Sequence, residues 1–308
     1  MNSETGSMAP TACDPAEQPV TAGIMQAGQP SRSALTVAML RAAHQLLDTP
    51  KVFDDPLALR ILGAEHEAQV RRDPAKFDAA FSRVLRAAMV VRSRLAEDEL
   101  ARAMQSGVNQ YVVLGAGLDT FAYRHEGQGG QALRVFEVDH PATQAWKRDL
   151  LQQSALAVPS SLTFVAVDFE QAILSEELRK AGCRTDLPVF FSWLGVTLYL
   201  SHAAIFETLQ FVASLPKSSA IVFDYGVAAE LLNPMERMGM AHFAKKYAAQ
   251  GEPWKTTFDP ALLADELRAT GFSEIEDLGA AELQTRYLAD RQDGLRLGGG
   301  TRLMLARV

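Results

Sequence analysis

From Gln110 onward the chain alternates between short unbroken apolar runs and longer stretches with helical spacing, and this constrains the fold more than any other feature. The runs fall at 110–114 (QYVVL), 133–138 (LRVFEV), 162–167 (LTFVAV), 188–193 (PVFFSW) and 219–225 (SAIVFDY), with helical segments at 141–154, 170–181 and 202–214 between them. Strand and helix in alternation call for right-handed crossovers and a parallel sheet. Strands apolar on both faces fit a sheet covered on both sides. A helix at Pro260–Thr270 stopped by Gly271, a strand at 272–278, a turn-rich stretch ending in Gly298-Gly299-Gly300 and a last strand at 302–308 predict a closing hairpin-like pair. The fold class expected is α/β, a mostly parallel seven-stranded Rossmann-like sheet with helices on both faces.

The first third reads differently. Residues 1–30, rich in Ala, Gly, Pro, Gln and Thr, read as a flexible tail. Leu35, Met39, Ala42, Ala43 and Leu46 mark a helix over 32–48, a short helix follows at 56–62 with Gly63 as its end, and Phe77, Phe81, Val84, Leu85, Ala88, Val91 and Leu95 mark one long helix from Pro74 to Gln105. The expected division is a tail, a helical cap over 31–106 and a sheet domain over 107–308 with a lid insertion near 227–257.

Three strand ends carry candidate chemistry. The first run enters Gly115-Ala116-Gly117-Leu118-Asp119-Thr120, where glycines let the backbone turn sharply and approach a ligand, and Asp119 or Thr120 can cap the next helix. A dinucleotide site asks for a third glycine where this chain has Thr120, and Asp119 would repel phosphates; S-adenosylmethionine has no phosphate, and acids favour its ammonium and sulfonium. The second run ends in Glu137-Val138-Asp139, and Asp139, at the strand's carboxyl end, can accept from both ribose hydroxyls. The third closes on Val167-Asp168-Phe169, an acid for an adenine amino group with a ring to flank the base. Glycine corner, acid and acid in strand order point to one adenosyl site; a NAD-dependent oxidoreductase and a non-catalytic binding module of the same fold remain as alternatives.

These residues belong to longer blocks. Ala42-Ala43-His44 through Asp55-Pro56-Leu57-Ala58, Arg92-Ser93-Arg94 with Asp98, the GAGLDT loop with Tyr123-Arg124, Phe136 through Pro141, Val167-Asp168-Phe169, Trp193 through Leu200 and Phe223-Asp224-Tyr225 together resemble the leucine carboxyl methyltransferase-like family of class I methyltransferases, in its bacterial O-methyltransferase branch, over residues 31 to 308. The resemblance implies S-adenosyl-L-methionine held by Gly115, Ala116, Gly117, Asp119, Asp139, Asp168 and Phe169, with Trp193 in the block after the fourth strand. It also implies an Arg on the methionine carboxylate. Arg92 is the first choice, Arg94 and Arg41 the others, because a guanidinium can grip a carboxylate with two nitrogens. Many relatives carry Glu where this chain has Leu194, which puts one contact near the cofactor's cationic end in doubt.

Tyr199, Asp224 and Tyr225 should lie at the sheet's carboxyl edge and are the candidate catalytic residues, against a competing reading as packing and turn residues. The lid segment holds Met235, Met238, Met240, Phe243, Tyr247 and Trp254, which suit an adaptable pocket for a hydrophobic or aromatic small-molecule acceptor, against a somewhat stronger competing reading as ordinary helical core. The expected reaction is O-methylation of a carboxylate or hydroxyl. A net charge of −7 with scattered Arg argues against nucleic acid as a partner. Two distant cysteines and six histidines without ligand spacing predict no metal site. Without an 18-residue apolar run or a signal-peptide pattern, no membrane partner and a cytoplasmic location are expected; the residues are silent on oligomeric state.

Overall fold

A computed structural model describes residues 30–125 and 133–308; the expected flexible tail lies outside them apart from Pro30. Seven strands, β1 (Gln110–Leu114), β2 (Arg134–Asp139), β3 (Leu162–Ala166), β4 (Phe190–Trp193), β5 (Ala220–Gly226), β6 (Glu274–Leu278) and β7 (Thr301–Arg307), form one sheet in the order β3-β2-β1-β4-β5-β7-β6. The first five run parallel, and β7 is antiparallel to both β5 and β6. This is the mostly parallel Rossmann-like α/β sheet that the alternation predicts.

Strand alternation divides the core. Val112, Leu114, Phe136, Phe191, Trp193, Phe223 and Tyr225 pack on one face; Tyr111, Val113, Val135, Phe190 and Val222 pack on the other. Chain order reverses between β1 and β4, which opens a crevice at the carboxyl ends of those strands, the place where open α/β sheets bind ligands.

Ten α-helices are described: α1 (Arg32–Leu47), α2 (Gly63–Arg72), α3 (Ala80–Gln105), α4 (Phe121–Arg124), α5 (Pro141–Gln153), α6 (Leu174–Lys180), α7 (His202–Ala213), α8 (Pro234–Ala248), α9 (Pro260–Thr270) and α10 (Ala280–Tyr287). Three differ from the sequence reading. Gly63 ends a 3-10 turn over Arg60–Leu62 with φ 74°, but α2 starts from it; beyond Gly63 itself only Val70 of α2 is buried, so no apolar stripe announces that helix. The long helix breaks after a 3-10 turn at Pro74–Phe77, where Ala79 is extended and the Asp78 carboxylate pairs with Arg83. The turn-rich stretch contains α10, of which only Leu283 is buried.

A buried network ties α1 to α3. Asp48 takes two hydrogen bonds from Arg86, at 2.7 and 2.8 Å, and lies 2.6 Å from His44 Nδ1; His44 Nε2 accepts from the Val52 and Phe53 N–H groups, so Nδ1 carries the proton. Burial opposes ionisation of Asp48, but the bonds from His44 and Arg86 outweigh it and hold the carboxyl at about 2. A depressed folded pKa gives stability that is complete above the unfolded value and lost as pH falls through about 3.8 toward about 2. Acid unfolding followed by circular dichroism should therefore fall off less steeply across that window in Asp48→Asn, a variant that is also less stable at neutral pH; an unchanged slope would remove Asp48 from the acid transition.

Candidate functional site

The glycine corner is built by its neighbours. Gly115 and Ala116 N–H both donate to the Val138 carbonyl, at 2.8 and 3.1 Å, which pins the loop to the end of β2. Gly115 has φ 66°, and a Cβ there would stand 2.2 Å from Val196 Cγ2. Gly117 has φ 48°, and its Cβ would stand 3.2 Å from the Ala34 methyl of α1. The close approaches and the left-handed backbone both require glycine.

Asp139 closes the corner. It accepts from Gly117 N–H at 2.5 Å and from His140 N–H at 2.7 Å. Burial pushes its carboxyl above the usual range, and those two N–H groups pull the other way. Its strand neighbour Glu137 points elsewhere, into a buried pair with Lys147 at 2.6 Å; burial raises it to about 7 against the pull of that lysine. Asp119 accepts from Phe121 N–H at 2.8 Å and so caps α4, while Thr120 offers that helix no side-chain cap. Asp168 accepts from Glu170 N–H at 3.1 Å and Gln171 Nε2 at 2.8 Å.

A cavity of about 730 Å³ opens over this corner, and Gly115, Ala116, Gly117, Asp119, Asp139, Asp168, Phe169, Arg92, Tyr199 and Asp224 all line it. Trp193 and Tyr225 do not. Both belong to the opposite sheet face, where Trp193 is fully buried and the Tyr225 hydroxyl donates to Asp277 at 2.9 Å. Period-two alternation is the reason: Ser192, Leu194 and Asp224 reach the cavity, so Trp193 and Tyr225 cannot. The expectation that these two residues serve the site is corrected accordingly.

The candidate arginines have different fates. Arg92 donates to Asp224 at 2.7 Å, and Asp224 also accepts from Gly195 N–H at 2.5 Å. Arg41 donates to Asp55 at 2.5 Å and to Thr120 at 3.0 Å while facing the cavity, and its buried Nε has no hydrogen-bond partner. Arg94 pairs with Asp98 at 2.8 Å and is absent from the lining.

The far wall is aromatic. Phe81 of α3 stacks on Phe243 of α8 with ring centres 4.4 Å apart, and Tyr247 and Trp254 continue the row at 6.3 and 5.9 Å. Tyr199 meets Tyr247 edge-on, and burial raises its hydroxyl well above its ordinary value. The loop at Gly298 and Gly300 completes the wall, where a Cβ on Gly300 would stand 2.6 Å from Met240 Sδ. Sequence reasoning did not assign this loop to the site, nor Ser31, Ala34 and Glu252, which also line the cavity. The glycine run was the one visible sign. Among the described residues no group of three His, Cys, Asp or Glu is placed to hold a metal, and no helix is long and apolar enough to cross a membrane.

A family model described as leucine carboxyl methyltransferase matches residues 34–213. A Bacillus subtilis protein named "Putative S-adenosyl-L-methionine-dependent methyltransferase YktD" is 31% identical over 294 residues, covering 88% of this chain and 95% of that protein. A similarly named Parafrankia protein is 32% identical over 173 residues, 55% of this chain and 54% of that one, so the chain spans about half its length. Among solved structures, one described as "a putative methyltransferase" from Thermobifida fusca superposes with a TM-score of 0.53 at 17% identity, over 92% of this chain and 96% of that one, a likeness of fold.

Proposed function

Because the chain belongs to the leucine carboxyl methyltransferase family and is an S-adenosyl-L-methionine-dependent methyltransferase, we propose that it methylates a carboxylate or hydroxyl oxygen of a small apolar or aromatic molecule held between α3 and a lid formed by residues 227–257. The observation that carries this reading is one cavity with acids and a glycine corner at one end and a row of aromatic rings at the other. At about 730 Å³ the cavity falls within the roughly 300–1,000 Å³ usual for small-molecule and cofactor sites.

The residues fit the cofactor. Asp139 is offered to the ribose hydroxyls, Asp168 with Phe169 to the adenine, and Gly115, Ala116, Gly117 and Asp119 to the methionine portion. Arg92 spends Nη1 on Asp224 and keeps its other nitrogens for a carboxylate. When bound, S-adenosyl-L-methionine supplies an activated methyl group; the protein's part is to orient the acceptor oxygen and exclude water.

Neither Tyr199 nor Asp224 is a ready base for the acceptor. Burial keeps the Tyr199 hydroxyl protonated, which suits it to donate a hydrogen bond. Asp224 has one oxygen on Arg92 and the other on Gly195 N–H. An acceptor that is already ionised needs no base, so carboxylic acids are favoured over alcohols. Methyl-labelled cofactor offered with a panel of aromatic acids and phenols is expected to give labelled esters, at least tenfold faster than labelled ethers. Labelled ethers without esters would reverse the preference, and cofactor binding without transfer to any oxygen acceptor would sink the proposal.

A further inference from the structure

The first turn of α1 has no acidic residue of its own, although a helix N-terminus favours one. The missing anion arrives from far along the chain. Glu252 Oε1 accepts from Arg32 N–H at 2.8 Å and Oε2 from Ser33 N–H at 3.0 Å. Glu252 is only 5% exposed, and both oxygens are used on this one helix end.

What Glu252 joins is specific. On one side α1 roofs the glycine corner: Ala34 stands over Gly117, and Ala34, Ala38 and Arg41 line the cavity there. On the other side Glu252 belongs to the lid, between Tyr247 and Trp254 of the aromatic wall. The lid is an excursion whose two ends meet, because Ala228 N–H donates to Phe258 carbonyl at 2.9 Å and Phe258 N–H to Gly226 carbonyl at 2.8 Å. Between the two ends of that closed base, the Glu252 carboxylate ties the lid to α1.

We infer that Glu252 is a positioning residue which seats α1 on the glycine corner, so that enclosure of the cofactor and closure of the acceptor chamber are a single event. This rests on the reading that the glycine corner holds the cofactor. A glutamine in its place keeps the shape but loses the charge and one acceptor, so two charge-assisted bonds become at most one neutral bond.

The test uses S-adenosylhomocysteine on the full chain. Glu252→Gln should release it about tenfold faster in stopped-flow displacement, as expected for a loss of this kind at a helix N-terminus. Hydrogen exchange should accelerate together in the first turn of α1 and across Phe243–Trp254. Gln110→Ala, which removes two buried bonds to the Arg184 backbone at the amino end of β1, away from α1 and the lid, serves as a control for general destabilisation. It should lower the melting temperature without changing release. Equal acceleration by both variants, or faster exchange in α1 with the lid unaffected, would overturn the inference. If the wild-type chain does not bind S-adenosylhomocysteine, the cofactor reading fails, and the paired exchange still tests the link between lid and helix.

Discussion

Asp139→Ala is expected to lose at least 100-fold in affinity for S-adenosylhomocysteine by calorimetry, the largest effect on cofactor binding of any single carboxylate in the cavity. Asp139 has two tasks. It holds the corner through the Gly117 and His140 N–H groups, and in the proposed function it is the acid for the ribose hydroxyls. Hydrogen bonds to charged groups are worth roughly 1.5–3 kcal/mol each, and leaving both donors unpaired adds their desolvation cost. Asp139→Asn keeps one acceptor oxygen and places an amide against N–H donors, so it should fall between alanine and wild type. Asp168→Ala should lose about tenfold, because its ties to Glu170 and Gln171 hold only its own turn. Undiminished affinity in Asp139→Ala, with the melting temperature recorded alongside, would remove the corner from cofactor binding.

The contrast between Asp139 and Trp193 marks how far the sequence could be read. Strand ends, their order and the glycine corner were legible because each is local: apolar runs set the strands, and a strand's last residues fall at the sheet edge by construction. The same local rule, applied one residue further, identifies the faces, and it excludes Trp193 and Tyr225 once Ser192, Leu194 and Asp224 are known to face the cavity. Nothing in a run such as Phe190–Trp193 reveals which alternate set is inward, since both faces of this sheet are covered. Glu252 and the Gly298–Gly300 loop were illegible for another reason. Their partners lie more than 200 residues away for Glu252, and on α3 and α8 for the loop, so only tertiary packing assigns them. Likewise α2 and α10 bury too little apolar surface to leave a periodic trace. The family match then displaces the oxidoreductase and binding-module alternatives that the loop alone left open.

Asp224→Ala is expected to cost about 3–5 kcal/mol, the usual penalty for removing one partner of a buried ion pair. At roughly 2–4 °C per kcal/mol for a chain of this size, its melting temperature should fall by about 10 °C. The reason is what remains behind. Arg92 is largely buried, its Nη2 would lie 2.8 Å from a Cβ on Gly195, and without Asp224 its charge loses the carboxylate it is paired with and the Gly195 N–H loses its acceptor. Stability and chemistry can be separated here. The double variant Arg92→Met with Asp224→Leu replaces the pair by apolar groups and should recover most of the lost melting temperature, since well-packed apolar substitutes for a buried pair are often neutral or better. It should not recover methyl transfer, because the guanidinium we propose for the cofactor's carboxylate is gone. Restored transfer in a restored fold would mean that Arg92 and Asp224 serve only to hold α3 against β5, and the methionine carboxylate would then fall to Arg41, whose buried Nε lacks a partner beside the glycine corner.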